Sequence, residues 1–272
     1  MLELEHRFRV LDVHARLAVE EETTARGRTV TPERLEREMR QAGVVRAVVF
    51  PRPQPDEGYL QYNNAVARLS VDRPFIAFAR LSGARDPGDS VGGRVRNLVR
   101  SREPYHTSPE QLEQYAYDDR FHGFKLDPGR DGLPDDAVLD ALEDVDLPVL
   151  VHGGTSFTPT QAARTLLDRS FPVILSHFGG YPLDRELMDD AIDFLETHDN
   201  CYLDTSFVRY REPLERALLE HPDRVLFGSG APASHPNVAI MEILTLDVSE
   251  DKLHRAFQKN AERVIESLEN SG

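Results

Sequence analysis

Three histidines in this chain stand at the ends of short β-rich runs: Leu11-Asp12-Val13-His14, Val149-Leu150-Val151-His152 and Ile174-Leu175-Ser176-His177. A lone histidine in such a place is most often a hydrogen-bonded structural residue. Three at equivalent ends are another matter, because neutral imidazoles converging on one point suit Zn²⁺ or a similar borderline cation, which lowers the pKa of a bound water towards neutrality. Other reactive side chains recur at such ends. Lys125 and Asp127 fall in Gly123-Phe124-Lys125-Leu126-Asp127, Asp204 and Ser206 in Asp204-Thr205-Ser206, and Ser229 in Gly228-Ser229-Gly230-Ala231-Pro232. Lys125 is one of only three lysines, with Lys252 and Lys259, in an arginine-rich chain. Inside a fold it can bind a carboxylate or act as a base; a salt bridge to a neighbouring strand's aspartate is the equal alternative. Asp12 suits the support of the first turn or of a neighbouring imidazole.

The elements that must position these residues alternate short apolar runs with stretches of helical period, which is the pattern of βαβ units around a parallel sheet. Eight runs are expected as strands: residues 8–14, 45–50, 75–81, 123–127, 149–152, 173–177, 202–206 and 225–228. Helices are expected over 35–41, 134–142, 160–167, 184–197, 212–219 and 237–244, with 250–268 closing the fold. This predicts one (β/α)8 barrel spanning residues 1–272, with a longer excursion at about 83–119 that holds two helix-like pieces beside the barrel mouth. In such a barrel the carboxyl ends of the strands face the active site. His6, His106, His122, His198, His221 and His254 lack that placement and read as surface or packing residues, while His235 stays open as a late contributor.

Composition narrows the partners. The net charge of −15 and the lack of a basic stripe argue against nucleic acid. No apolar run approaches the ~18 residues of a membrane span, the charged start does not read as a secretory signal, and the single Cys201 permits no internal disulfide. A cytoplasmic enzyme of a small molecule is expected, with homo-oligomers left open. The 47 acidic residues against few lysines suggest a halophilic, acidic surface; codon bias towards arginine is the alternative.

At these positions the chain resembles the amidohydrolase-related group of metal-dependent TIM-barrel hydrolases, which also holds non-oxidative decarboxylases of small carboxylic acids. The resemblance runs nearly end to end, through Asp12-Val13-His14, Gly123-Phe124-Lys125-Leu126, His152-Gly153-Gly154, Ser176-His177-Phe178-Gly179-Gly180, Asp204-Thr205-Ser206, Gly228-Ser229, Ala231-Pro232 and Asn260-Ala261-Glu262-Arg263. It implies a hydrolase with one divalent metal, Zn²⁺ first, held by His14 and His152, and His177 as acid/base. The chain departs from the pattern twice. Arg16 stands where a second histidine is usual, and Gly230 where an aspartate usually binds the metal. Asp127, or else Asp204, would then supply the missing oxygen ligand, and Ser206, Ser229 and Asp204 are candidates for substrate contacts. A guanidinium cannot coordinate a metal. Arg16 would therefore pair with Asp127 or Asp204, hold a ligand's carboxylate or phosphate, or turn aside into a surface salt bridge. The readings that remain are a hydrolase, a decarboxylase, and a metal-free barrel holding a small acidic metabolite through Arg16 and Lys125.

Overall fold

In the computed structural model of the protein, residues 7–23, 27, 29–54, 57–88 and 102–269 are described. His6 and residues 89–101 of the expected excursion lie outside them. Eight parallel strands follow one another around a sheet: β1 Val10–Arg16, β2 Val44–Phe50, β3 Phe75–Arg80, β4 Phe121–Leu126, β5 Val149–Gly154, β6 Val173–Tyr181, β7 Cys201–Asp204 and β8 Val225–Leu226. Each expected run is a strand, and its neighbour in sequence is its neighbour in the sheet. The ring comes close to closing through backbone bonds between β1 and the chain around β8: Val13 N to Phe227 O (2.9 Å), Gly230 N to His14 O (3.0 Å) and Arg16 N to Ala231 O (2.8 Å). The architecture is the expected (β/α)8 barrel.

Helices cover the outside. Leu35 and Met39 of α1, Pro32–Gln41, point at the sheet, and Thr31 caps its start through Arg34 N. Pro109–Ala116 carries a full capping box from Ser108 and Gln111. Helix Leu60–Ser70, between β2 and β3, was not expected. Its N-cap is Tyr59, which makes no side-chain cap bond, so the usual start signal is missing. A two-stranded antiparallel ribbon, Glu22–Thr23 with Thr29–Val30, follows β1 and was also not expected.

The core falls in two parts. Leu11, Val13, Val48, Phe50, Ile76, Phe78, Leu150, Ile174 and Leu226 form one cluster, while Val10, Ala15, Val149, Val151, Val173 and Leu175 belong to a second cluster with the helices. This is the period-two alternation of strands, and it matters for the histidines. By that count His152 falls in phase with inward Leu150, whereas His14 and His177 fall out of phase with Val13 and Ile174. The backbone corrects both. The β1–β2 ladder shifts register between Asp12 and Ala15, and His177 and Phe178 take φ of 63° and 51°. A register shift of this kind re-aims a side chain.

Candidate active site

The three histidines meet at the carboxyl ends of the strands. His14 Nδ1 lies 2.8 Å from Asp204 Oδ2, and His177 Nε2 lies 3.2 Å from His152 Nδ1. The rings of His14 and His177 are 4.9 Å apart, centroid to centroid. His177 Nδ1 also lies 2.9 Å from the Ser206 carbonyl, which can only accept, so Nδ1 carries the proton and Nε2 keeps its lone pair. The same logic at Asp204 puts the His14 proton on Nδ1 and leaves Nε2 as a donor atom.

Electrostatics match this assignment. Burial lowers the pKa of all three imidazoles, His177 to about 3, so each is neutral at neutral pH. Burial opposes the charge of Asp204, but His14 beside it and the Ser206 hydroxyl hold its carboxyl below the usual carboxylate range. Lys125 is buried and brought down to about 8 by the loss of solvent. Its ammonium makes one long bond, 3.4 Å to Ser176 Oγ, and sits 5.1 Å from the face of Phe50. Burial pushes Asp12 up to about 7, although it accepts from His14 N (3.0 Å), Ser229 N (2.9 Å) and Ser229 Oγ.

Above this floor opens a cavity of about 520 Å³. His14, His152, His177 and Lys125 line it, with aromatic walls from Phe50, Tyr181 and Phe207. Arg16, Arg52, Arg80 and Arg130 complete its cationic side, against Glu22 and Asp127. Five cations around two carboxylates stand out in a chain of net charge −15.

The expected site residues sort into layers. His14, His152, His177, Lys125, Asp127 and Arg16 all line the cavity. Asp204, Ser206 and Ser229 are fully buried and are not among the lining residues. The two hydroxyls are spent on carboxylates, Ser206 on Asp204 and Ser229 on Asp12. Asp127 is paired with Arg80 (3.1 Å), which also bonds Asp131 (2.8 Å), and its Oδ1 has no partner. Arg80 closes the apolar run of β3 and carried no signal in the sequence. Arg16 pairs with neither Asp127 nor Asp204; it turns to Glu22 of the ribbon at 2.8 Å. His235 caps the helix Pro236–Leu244, and none of His106, His122, His198, His221 and His254 lines the cavity.

Among the described residues, one group of acidic, histidine or cysteine side chains brings three donor atoms within 4.8 Å of one another: His14, His177 and Asp204. The trio His14, His152 and Asp127 does not form such a group. Two neutral imidazoles and an ionised carboxylate are a donor set suited to a divalent transition ion. The residues present therefore fit a metal, with His14 and the alternative oxygen ligand Asp204 of the set the resemblance implied, and with His177 in place of His152.

At Gly230 the backbone holds φ at 71°, and a Cβ there would meet the Phe207 ring at 2.5 Å. Phe207 thus fills the space beside the position where an aspartate is usual.

The barrel and a histidine-lined mouth define the class, and the sequence comparison names it. Residues 12–266 match the family described as Amidohydrolase, and the chain belongs to that family, with an altered set of metal-ligand positions. A comparison with curated protein sequences gives no match. Solved structures share the fold. An uncharacterized TIM-barrel protein from Bordetella bronchiseptica superposes with a TM-score of 0.65 at 20% identity, covering 94% of this chain and 97% of that one. A 2,6-dihydroxybenzoate decarboxylase from Rhizobium gives 0.66 at 16%, covering 95% and 98%. A dihydroxybenzoic acid decarboxylase from Polaromonas, with bound manganese and the inhibitor 2-nitroresorcinol, gives 0.66 at 16%, covering 94% and 96%. No helix among the described residues is long and apolar enough to cross a membrane.

Proposed function

We propose that the protein is a metal-dependent, non-oxidative decarboxylase of a small carboxylic acid. The observation that carries this is the cavity itself: a cationic mouth in an acidic protein, above buried neutral imidazoles and a lysine whose ammonium is poorly satisfied. Decarboxylases among the structural neighbours support the reading, and the manganese of the Polaromonas enzyme makes Mn²⁺ the first ion to test, ahead of Zn²⁺. The hydrolase reading is weaker because the two enzymes named among these neighbours are both decarboxylases.

His14, His177 and Asp204 would hold the ion, with His152 next to them. A bound divalent cation polarises substrate oxygens and stabilises negative charge that develops on the substrate. The protein's own groups do the rest. The cationic mouth draws the acid in, and the aromatic walls exclude water around it. When the carbon–carboxyl bond breaks, CO2 leaves and the electron pair stays on the substrate carbon. Lys125 Nζ–H then delivers a proton to that carbon and is recharged from solvent; a lysine brought down to about 8 is mostly protonated at neutral pH, yet gives its proton up readily. His177, neutral at this pH, acts as a nitrogen donor atom rather than as an acid in this scheme.

The test is a panel of aromatic and aliphatic carboxylic acids incubated with protein prepared in molar KCl, with Mn²⁺, with Zn²⁺ and with chelator, reading CO2 release and deuterium uptake into product from D2O. Metal-dependent CO2 release is expected, with Lys125→Met losing about 10²–10⁴-fold in kcat. Hydrolysis of esters, amides or lactones without CO2 from any acid would return the hydrolase reading. Undiminished ligand binding with no metal bound would favour the metal-free barrel that holds an acid through Arg16 and Lys125.

A further inference from the structure

Two of the five cations at the mouth share one carboxylate. Arg16 Nη1 lies 2.8 Å from Glu22 Oε2, and Arg52 Nε lies 3.6 Å from Glu22 Oε1. Glu22 is part-buried, lines the cavity, and is carried there by the short ribbon that follows β1. The other arginines are matched from within the fold. Arg80 is held by Asp131 and Asp127 together, and Arg130 Nε lies 3.8 Å from Asp127 Oδ2. The rim pair Arg16 and Arg52 is thus left with one positive charge in excess, and Lys125 at the floor has no carboxylate in contact.

We infer that Glu22 is a specificity residue: an internal counter-ion that keeps the rim at one net positive charge and so sets the cavity to accept monoanionic acids over dianionic ones. The inference rests on the reading of this cavity as the site of a small carboxylic acid. A monoanion spends its single charge at the floor beside Lys125. A second carboxylate on the same molecule would reach the rim, where it must share two guanidinium groups with Glu22 and face a like charge. Guanidinium groups bind carboxylates by paired N–H bonds, and here Glu22 already takes one hydrogen bond from Arg16 and forms a longer ion pair with Arg52. Replacing Glu22 by a neutral isostere would free both arginines without emptying the space. The sign of this expectation is opposite to that for an ordinary binding residue, since removing it improves the binding of one ligand class.

The experiment is calorimetric titration with benzoate and with isophthalate (benzene-1,3-dicarboxylate), flat probes suited to walls of Phe50, Tyr181 and Phe207. The proteins are the parent, Glu22→Gln, the charge-conserving Glu22→Asp, and Glu21→Gln. Glu21 is exposed and does not line the cavity, so its variant repeats the change in net charge elsewhere. Two like charges in a partly solvated site repel enough to shift binding about three- to tenfold. The isophthalate-to-benzoate affinity ratio is therefore expected to rise by about that factor in Glu22→Gln, and by less in molar KCl. Glu22→Asp and Glu21→Gln should stay near the parent ratio. A ratio unchanged in Glu22→Gln, an equal rise in Glu21→Gln, or no binding of either acid to the parent would overturn the inference. The CO2 assay is separate: a shifted ratio without CO2 from any acid would keep the charge rule and remove the decarboxylase, and CO2 release with an unshifted ratio would do the reverse.

Discussion

Restoring the strand-eight carboxylate by Gly230→Asp should first destabilise the protein, and the reason is Phe207. Any side chain at residue 230 must adopt φ near 71° and put its Cβ 2.5 Å from Cε2 and 2.6 Å from Cζ of that ring. The left-handed backbone costs a residue other than glycine about 1–2 kcal/mol. Forcing a side chain into filled space costs about 1–3 kcal/mol more. A total of about 3 kcal/mol corresponds to a fall in Tm of about 6–12 °C for a chain of this size. Gly230→Ala should cost as much or slightly more, since the Cβ does the damage and aspartate tolerates left-handed φ better. Shortening the ring by Phe207→Ala should return the packing part but not the backbone part. In a double-mutant cycle read by urea unfolding, Gly230→Asp and Phe207→Ala should therefore couple favourably by about 1–2 kcal/mol. Arg16→His and Gly230→Asp together should raise Mn²⁺ affinity only when Phe207→Ala accompanies them. Loss of less than about 0.5 kcal/mol in both Gly230 variants, or strict additivity with Phe207→Ala, would refute the claim that Phe207 occupies the carboxylate's space.

Two further outcomes follow from charge. Lys125 has its pKa brought from 10.5 down to about 8 by burial, so the native state sheds a proton that the unfolded chain still holds between about pH 8 and 10.5. The penalty for burying the ammonium is complete below pH 8 and is relieved as pH rises through that window, on the order of 3 kcal/mol. Urea unfolding at pH 7.5, 9 and 10.5 should show Lys125→Met lacking this rise; equal slopes in parent and variant would refute the placement of a charged lysine at the floor. The chain's net charge of −15 implies mutual repulsion of surface carboxylates, which salt screens. Tm should climb from 0.1 to 2 M KCl, and a flat or falling Tm would reject salt adaptation.

What could be read from the residues was whatever local period and end signals encode. All eight strands announced themselves as short apolar runs, and Thr31-Pro32-Glu33 announced its helix. Helix Leu60–Ser70 did not, because Tyr59 supplies no capping side chain, and two-residue strands such as Glu22–Thr23 have no length over which a period can show. The site was legible as a list of residue types at strand ends and illegible as an arrangement. Simple alternation would turn His14 and His177 away from the mouth; the register shift after Asp12 and the positive φ at His177 bring them in, and neither is encoded in spacing. Asp127 looked like a metal ligand until Arg80, the last residue of an apolar strand, took it as a partner.

The two departures from the family pattern make sense only with neighbours distant in sequence or hidden in a short ribbon. Arg16 is accommodated at the mouth because Glu22 neutralises it, and Gly230 leaves room because Phe207 fills the space. Each replacement has a compensating residue in contact with it, one ionic and one steric. Undoing either replacement alone would leave its companion in place: Glu22 held only by the longer 3.6 Å pair to Arg52, or Phe207 against a side chain that cannot fit. Restoration of the usual metal ligands therefore has to address the pairs Arg16–Glu22 and Gly230–Phe207, because the altered site is held by contacts rather than by the two substitutions themselves.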